Sequence, residues 1–315
     1  GSVEAQGKRV GIIGLDTSHS IAFTKTLNSE DVGNEYLDYK IVAAYPKGSL
    51  DIPSSVDRIE GYTRQIKEMG VEIVGSIEEL LLKVDVVLLE TNDGRRHLEQ
   101  ALPVLKAEKR MFIDKPMAAS LSDAMIIFNA AEHYGVPVFS SSSLRYIGGM
   151  DEVKSGSVGR ILGADAFSPA TLEKTHPDLF WYGIHGVETL FTAMGTGCQT
   201  VSRTFTKGTD VVTGIWKDGR IGTFRGIREG KRGYGGMIYG ENENVNLGTY
   251  SGYNPLLKEV VKYFDTGNLP VTPEETLEIL AFMEAADLSK KKGGKPVSME
   301  QIMDKSRKES RKFKL

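Results

Sequence analysis

The sequence predicts an α/β domain followed by an α+β domain: a doubly wound parallel sheet over residues 1–143, then a large, mostly antiparallel open sheet with helices on one face over residues 144–315. Three observations carry this. Short runs of Val, Ile and Leu alternate with helical stretches in the first half, as in a parallel sheet covered on both faces. After Ile161 the strand-like runs lengthen and alternate apolar with polar residues, as strands with one solvated face do. At 315 residues the chain exceeds one typical core, so two domains are expected.

The strands of the first half are expected at Val10–Leu15, Lys40–Tyr45, Val84–Glu90, Met111–Asp114 and Val136–Ser140. Helices are expected at Ser18–Asn28, Arg96–Glu108 and Leu121–His133, where apolar residues recur at three- and four-residue spacing. In the second half, strands are expected at Ile161–Ala170, Gln199–Thr206, Asp210–Lys217, Arg220–Ile227, Tyr234–Gly240 and Val245–Tyr250, with Asp218-Gly219 marking a hairpin. Helices follow at Leu256–Asp265, Pro273–Lys291 and after Ser298. The second has Thr272 as its cap, Pro273 at its first position and two acids behind it. An open sheet with one bare face invites pairing, so a homodimer or homotetramer through this sheet is expected.

Composition excludes several classes. With 40% hydrophobic and 26% charged residues and a net charge of −3, nothing suggests a nucleic-acid partner. The basic tail from Lys305 reads as a solvated helix end. No run approaches the ~18 apolar residues that a membrane span needs. Cys198 stands alone, so an intrachain disulfide and a thiolate metal cluster are excluded. A cytoplasmic location is the expectation, but Gly1-Ser2 without a methionine reads as a tag remnant, so export stays open.

Three segments carry chemistry. Gly14-Leu15-Asp16-Thr17-Ser18-His19 joins the first strand to the first helix, where backbone N–H groups and the helix dipole can receive a pyrophosphate. A dinucleotide fingerprint would place Gly at 14, 16 and 19; here Asp16 and His19 replace two of them. Asp16 adds bulk and a charge near the phosphates, a repulsion of about 1 kcal/mol at ~4 Å in water and several times that in a drier cleft. On that argument Asp16→Gly should strengthen cofactor binding. Asp16 or Thr17 can instead cap the helix, leaving Thr17, Ser18 and His19 to bond phosphate oxygens.

The second segment, Phe112-Ile113-Asp114-Lys115-Pro116, ends a buried strand on a lysine, and ligands of open α/β sheets bind beyond such strand ends. Lys115 could hold a substrate hydroxyl there and shift its proton equilibrium; the plain alternative is an ordinary strand-end lysine. The third is Trp181-Tyr182-Gly183-Ile184-His185, with Glu188 three residues on. Histidine is the natural base near neutral pH, though a lone helical histidine is more often structural.

Together these segments resemble the glucose–fructose oxidoreductase/inositol dehydrogenase (Gfo/Idh/MocA) family over nearly the whole chain. Val84–Glu90 with His97-Leu98-Glu99-Gln100-Ala101 beyond it, and Pro270–Glu275, add to the likeness. The family's usual Glu-Lys-Pro is here Asp114-Lys115-Pro116. The resemblance implies an N-terminal Rossmann domain and an NAD(P)-dependent oxidoreductase acting by hydride transfer on a hydroxyl of a sugar, cyclitol or related polyol. It implies Lys115 and His185 as catalytic residues, with His185 as proton acceptor. The implied cofactor site is Gly14, Asp16, Thr17, Ser18, His19, Tyr45, Lys47, Asn92, His97, Asp114 and Lys115. The implied substrate site is Arg145, His176, Trp181 and Tyr182.

Two departures bear on this. The family commonly has Asp four residues before the histidine, where this chain has Trp181, so His185 is left to work with Lys115 alone. No acid ends the second strand: Tyr45-Pro46-Lys47-Gly48-Ser49 offers Lys47 and Ser49 to a 2′-phosphate, which favours NADP over NAD. Two other functions stay open, a glycoside-cleaving lyase that returns its hydride and a non-catalytic sugar-binding protein, the latter motivated by Asp16. No metal site is expected, since His19, His97, His176 and His185 lack metal-ligand helical spacing.

Overall fold

The computed structural model describes residues 7–315, so Gly1-Ser2 lie outside the described residues. The first half runs β1 (Arg9–Ile13), α1 (Ser18–Leu27), β2 (Lys40–Tyr45), α2 (Pro53–Glu68), β3 (Glu72–Ile73), α3 (Ile77–Leu81), β4 (Val86–Leu89), α4 (His97–Lys106), β5 (Arg110–Asp114), α5 (Leu121–Tyr134) and β6 (Val138–Ser141). The strands form one parallel sheet in the order β3-β2-β1-β4-β5-β6. The order reverses between β1 and β4, and at such a switch point the strand ends part to leave a crevice. The residues of β4 are buried throughout, which is why its sequence does not alternate.

The second half runs α6 (Met150–Lys154), β7 (Ile161–Pro169), α7 (Asp178–Trp181), α8 (Ile184–Met194), β8 (Cys198–Phe205), β9 (Thr209–Trp216), β10 (Ile221–Ile227), β11 (Gly235–Gly240), β12 (Asn244–Leu247), α9 (Asn254–Thr266), α10 (Pro273–Lys291), β13 (Val297–Ser298) and α11 (Met299–Ser310). Its seven strands are ordered β12-β11-β7-β10-β9-β8-β13, antiparallel except for the β7–β10 pair. The hairpin between β9 and β10 turns at Gly219, whose φ of +89° is a left-handed value that glycine takes without strain. Phe224 and Trp216 are buried on the helix-covered face, whereas Ile215, Ile221 and Tyr239 are exposed.

Two features differ from the sequence expectation. The helix α2 carries only Ser55 and Ile66 as buried residues, so it leaves no apolar stripe to read. The helix α9 does not cover the second sheet. Its Leu256, Leu257, Val260, Val261 and Phe264 share a core with Val10, Ile12, Val86, Leu88 and Phe112 of the first sheet. Met111 N–H donates to its Tyr263 hydroxyl at 3.0 Å. Periodicity showed that this helix has an apolar face but not which sheet the face meets.

Candidate active site

The crevice is built first by the turn after β1. Gly14 has φ +92°, and a Cβ there would sit 2.4 Å from Thr91 Oγ1 and 2.5 Å from Thr91 N, so no other residue fits. Its N–H donates to Tyr45 O at 2.8 Å, and Leu15 N–H donates to Pro46 O at 2.9 Å. Thr17 caps α1, its hydroxyl accepting His19 N–H at 3.3 Å, and exposed Ser18 opens the helix. The Asp16 carboxylate is fully buried, accepting Ser49 N–H at 2.7 Å and Asn92 N–H at 2.9 Å. Burial raises its pKa, and those two N–H donors partly offset the rise. The expected clash at Asp16 therefore changes form: its charge meets two donors inside the protein instead of lying open at the helix end.

Asp16 thus ties the loop after β2 to the loop after β4. Ser49 Oγ adds a bond to Asp93 Oδ2 at 3.1 Å, and Asn92 Nδ2 donates to Ser55 Oγ at 3.1 Å. Lys47 is exposed, its backbone carbonyl accepting Gln100 Nε2–H at 3.0 Å. His97 is fully buried with Nε2 2.6 Å from Thr91 O and Nδ1 3.1 Å from Met117 O, so it fixes the loops after β4 and β5.

Three side chains meet on the crevice floor: His19 from α1, Glu90 after β4 and Asp114 ending β5. His19 Nδ1 bonds Asp114 Oδ2 directly. Burial opposes ionisation of Asp114, but the charge and hydrogen bond of His19 hold its pKa well below the usual carboxylate range. Glu90 is moved the other way, by burial first and by the neighbouring Asp114 second. Lys115 follows, joined to Pro116 by a cis peptide bond, and its N–H donates to Asp114 Oδ1 at 2.7 Å. Burial lowers the Lys115 pKa, against the charge of Asp114.

The opposite wall comes from the second half. His185, in the first turn of α8, is buried with Nδ1 2.6 Å from Ser142 Oγ, which is itself fixed by Leu144 N–H at 3.1 Å. Burial, then the charges of Lys115 and His19, push His185 well below its ordinary pKa, so the ring is neutral near pH 7. Tyr182 stands between the two groups. Its ring centroid is 5.0 Å from that of His185 and 5.6 Å from Lys115 Nζ. Tyr234 bonds the Tyr182 hydroxyl at 3.0 Å, Tyr250 bonds Ser143 Oγ at 2.6 Å, and Tyr253 packs its ring 4.2 Å from His19.

The remaining expected residues lie around this centre. Trp181 turns its ring onto His176, 5.0 Å between centroids, and offers Lys115 Nζ only its carbonyl, at 3.5 Å. His176 receives Gly94 N–H on Nε2 at 3.2 Å and bonds Thr175 Oγ1 through Nδ1 at 2.9 Å. An acceptor Nε2 leaves no proton for Asp93 Oδ1 at 3.4 Å, so the hydrogen-bond pattern outweighs that ion-pair contact. Arg145 is buried and engaged by Glu188 and Glu275, which fasten it between α8 and α10. Glu90, Ser142 and the tyrosines at 234, 250 and 253 were not singled out from the sequence. Only Glu90 carried a signal, as a charge closing the apolar run Val86–Leu89.

Residues 8–142 match the family described as "Oxidoreductase family, NAD-binding Rossmann fold". A 1,5-anhydro-D-fructose reductase from Ensifer adhaerens is 33% identical over 100 residues, 30% of each chain. Among solved structures, a probable dehydrogenase from Thermotoga maritima superposes with a TM-score of 0.76 at 19% identity, covering 93% of this chain and 99% of that one. The myo-inositol dehydrogenase from Lactobacillus casei, solved with NAD(H) and myo-inositol, gives 0.73 at 17%, covering 92% and 96%. Those two share the fold. Residues 8–142 are thus similar to the oxidoreductase family with an NAD-binding Rossmann fold, and the chain as a whole shares its fold with those solved structures.

Proposed function

We propose that this protein is an NAD(P)-dependent oxidoreductase that oxidises or reduces a hydroxyl-bearing carbon of a sugar, cyclitol or related polyol, with Lys115 and His185 as its catalytic residues. The carrying observation is that Lys115, just after β5, and His185, in the first turn of α8, both approach the Tyr182 ring, Lys115 Nζ at 5.6 Å and the His185 ring at 5.0 Å from its centroid. The donor set suits a dinucleotide. The first turn of α1 has no acidic residue, Ser18 is exposed there, and the Asp16 charge is turned to Ser49 and Asn92. A phosphate at that helix end would meet N–H dipoles without a facing carboxylate. This weakens the case for a non-catalytic sugar-binding protein, which rested on Asp16.

The nicotinamide, when bound, supplies the hydride acceptor or donor. The protein's part is to hold the substrate oxygen and move its proton. His185, neutral and oriented by Ser142, takes the hydroxyl proton; Lys115 stabilises the alkoxide left behind. Tyr182 and Trp181, both half-buried, offer aromatic rings on which a sugar could stack, and buried His176 supports the Trp181 ring from behind. Asn92 and His97 hold the loop after β4. The exposed Lys47 at the end of β2, with no acid at that strand end, supports NADP over NAD. The exposed Ile215, Ile221 and Tyr239 support a homodimer or homotetramer through the open face of the second sheet. A cytoplasmic location fits this chemistry.

The experiment is a spectrophotometric screen of polyols and aldoses with NAD⁺ and NADP⁺, run with wild type and His185→Gln. Wild type should reduce one of the two cofactors, and His185→Gln should lose about 100-fold or more in kcat/KM. No turnover with any substrate and no binding of either dinucleotide by calorimetry would overturn the reading.

A further inference from the structure

We propose that His19, Glu90 and Asp114 form a binding site for one divalent transition-metal ion, such as Zn²⁺ or Mn²⁺, on the crevice floor. Each offers one ligand atom, and these atoms all lie within 4.8 Å of one another. They come from the start of α1, the residue just after β4 and the end of β5, all at the carboxyl edge of the sheet near its switch point. An imidazole nitrogen with two carboxylate oxygens is a donor set for such ions, whereas Mg²⁺ and Ca²⁺ favour oxygen alone.

The independent observation is Glu90. It is 1% exposed, and neither carboxylate oxygen has a hydrogen-bond partner among the described residues. Burial first, and then neighbouring Asp114, raise its pKa. An unpartnered buried carboxyl costs free energy, and native structures keep few of them without a use. The neighbouring buried carboxylates are treated differently: Asp16 takes two N–H donors, and Asp93 takes Ser49 Oγ and three contacts from Arg95. Glu90 alone is aimed at His19 and Asp114 with its capacity unused. An ion there would give the Glu90 carboxyl the partner it lacks and add a cation beside Asp114.

Three protein ligands leave coordination positions for water or for a substrate oxygen. Lys115 follows Asp114 directly, so a hydroxyl or carbonyl oxygen held on the ion would sit beside the lysine. Vicinal oxygens of a polyol are suited to such a site. The proposal does not depend on the nicotinamide reading, since the ligands need no dinucleotide to hold an ion.

The test uses the full chain stripped with a chelator and titrated separately with Zn²⁺ and Mn²⁺ by calorimetry, with a Co²⁺ absorption spectrum as a second readout. One ion per chain is expected. Glu90→Gln, which keeps size and shape, should weaken binding by at least the ~100-fold that even a supporting residue can cost. His19→Asn, made on a partly exposed helix start, should abolish the Co²⁺ bands and serves as the second variant if Glu90→Gln does not fold. No saturable binding up to millimolar ion, or equal affinity in wild type and both variants, would overturn the site. NAD⁺ and NADP⁺ are titrated in parallel: failure of those two alone would overturn the dinucleotide reading and leave the metal site standing.

Discussion

Two buried clusters of charge, built from the same kinds of residue, are completed to different degrees. Arg203 on β8 is fully buried, with Nε 2.8 Å from Asp210, Nη2 2.8 Å from Asp178 and Nη1 3.1 Å from Asp287. Arg228 adds a second cation to Asp210, and Lys290 adds one to Asp178 at 2.8 Å. On the crevice floor, Glu90 has no hydrogen-bond partner among the described residues, and Lys115 Nζ meets the Trp181 carbonyl at 3.5 Å and the Tyr182 ring at 5.6 Å but no carboxylate within ion-pair distance among them. The first cluster uses its bonding capacity to hold β8, β9, α7 and α10 together. The second keeps capacity in reserve, which is what a site for an outside molecule requires.

The comparison can be broken from either side. Arg203→Met should produce the largest loss, about 3 kcal/mol of unfolding free energy, because it removes three charged contacts at once, leaves Asp287 without its guanidinium partner and leaves buried Asp210 with Arg228 alone. Urea unfolding measures it; a loss below 1 kcal/mol would show that the cluster is dispensable. Glu90→Gln should by contrast leave stability unchanged or raise it, since it removes a buried acid that nothing pairs.

A smaller effect is expected at His176, which joins the second half to the loop after β4. Burial, with Arg95 nearby, lowers its pKa from 6.5 to about 4 despite Asp93. A folded pKa below the unfolded one contributes stability above pH 6.5 that is lost as pH falls towards 4. At ~1.4 kcal/mol per unit, that is about 3 kcal/mol at most. Urea midpoints of wild type should fall through this window more steeply than those of His176→Asn; parallel curves would refute the assignment.

A smaller loss again is expected at Asp16. Asp16→Gly leaves the N–H groups of Ser49 and Asn92 without their acceptor and should cost about 2 kcal/mol. It should leave dinucleotide affinity unchanged or weaker, the reverse of what a carboxylate facing the phosphates would give. Tighter binding in calorimetry would restore the charge clash.

Much of the frame was legible because it is local. The unbroken apolar runs of β4 and β5, the alternation of β9 and β10 and the Thr272–Pro273 helix start each declare themselves within a few residues. The turn at Gly14 and the pairing of Lys115 with His185 were legible through family likeness. What stayed hidden depends on direction and on distant partners. Nothing local told that α9 turns its apolar face to the first sheet, or that the Asp16 carboxylate meets Ser49 and Asn92. Nor did the sequence show that Glu90, at the end of an apolar run, faces His19 from another element. Tyr234, Tyr250 and Tyr253 read as ordinary aromatics until the fold brings them to one wall.

Lys115→Met separates the two kinds of buried charge most directly. It replaces a partly buried lysine with an apolar chain of similar length, and unfolding free energy and turnover are measured on the same preparation. If the crevice charges serve chemistry, stability should be equal or higher than in wild type while kcat/KM falls by about 100-fold or more. A stability loss like that of Arg203→Met, with the remaining folded protein fully active, would place Lys115 among the residues that hold the fold and contradict the account.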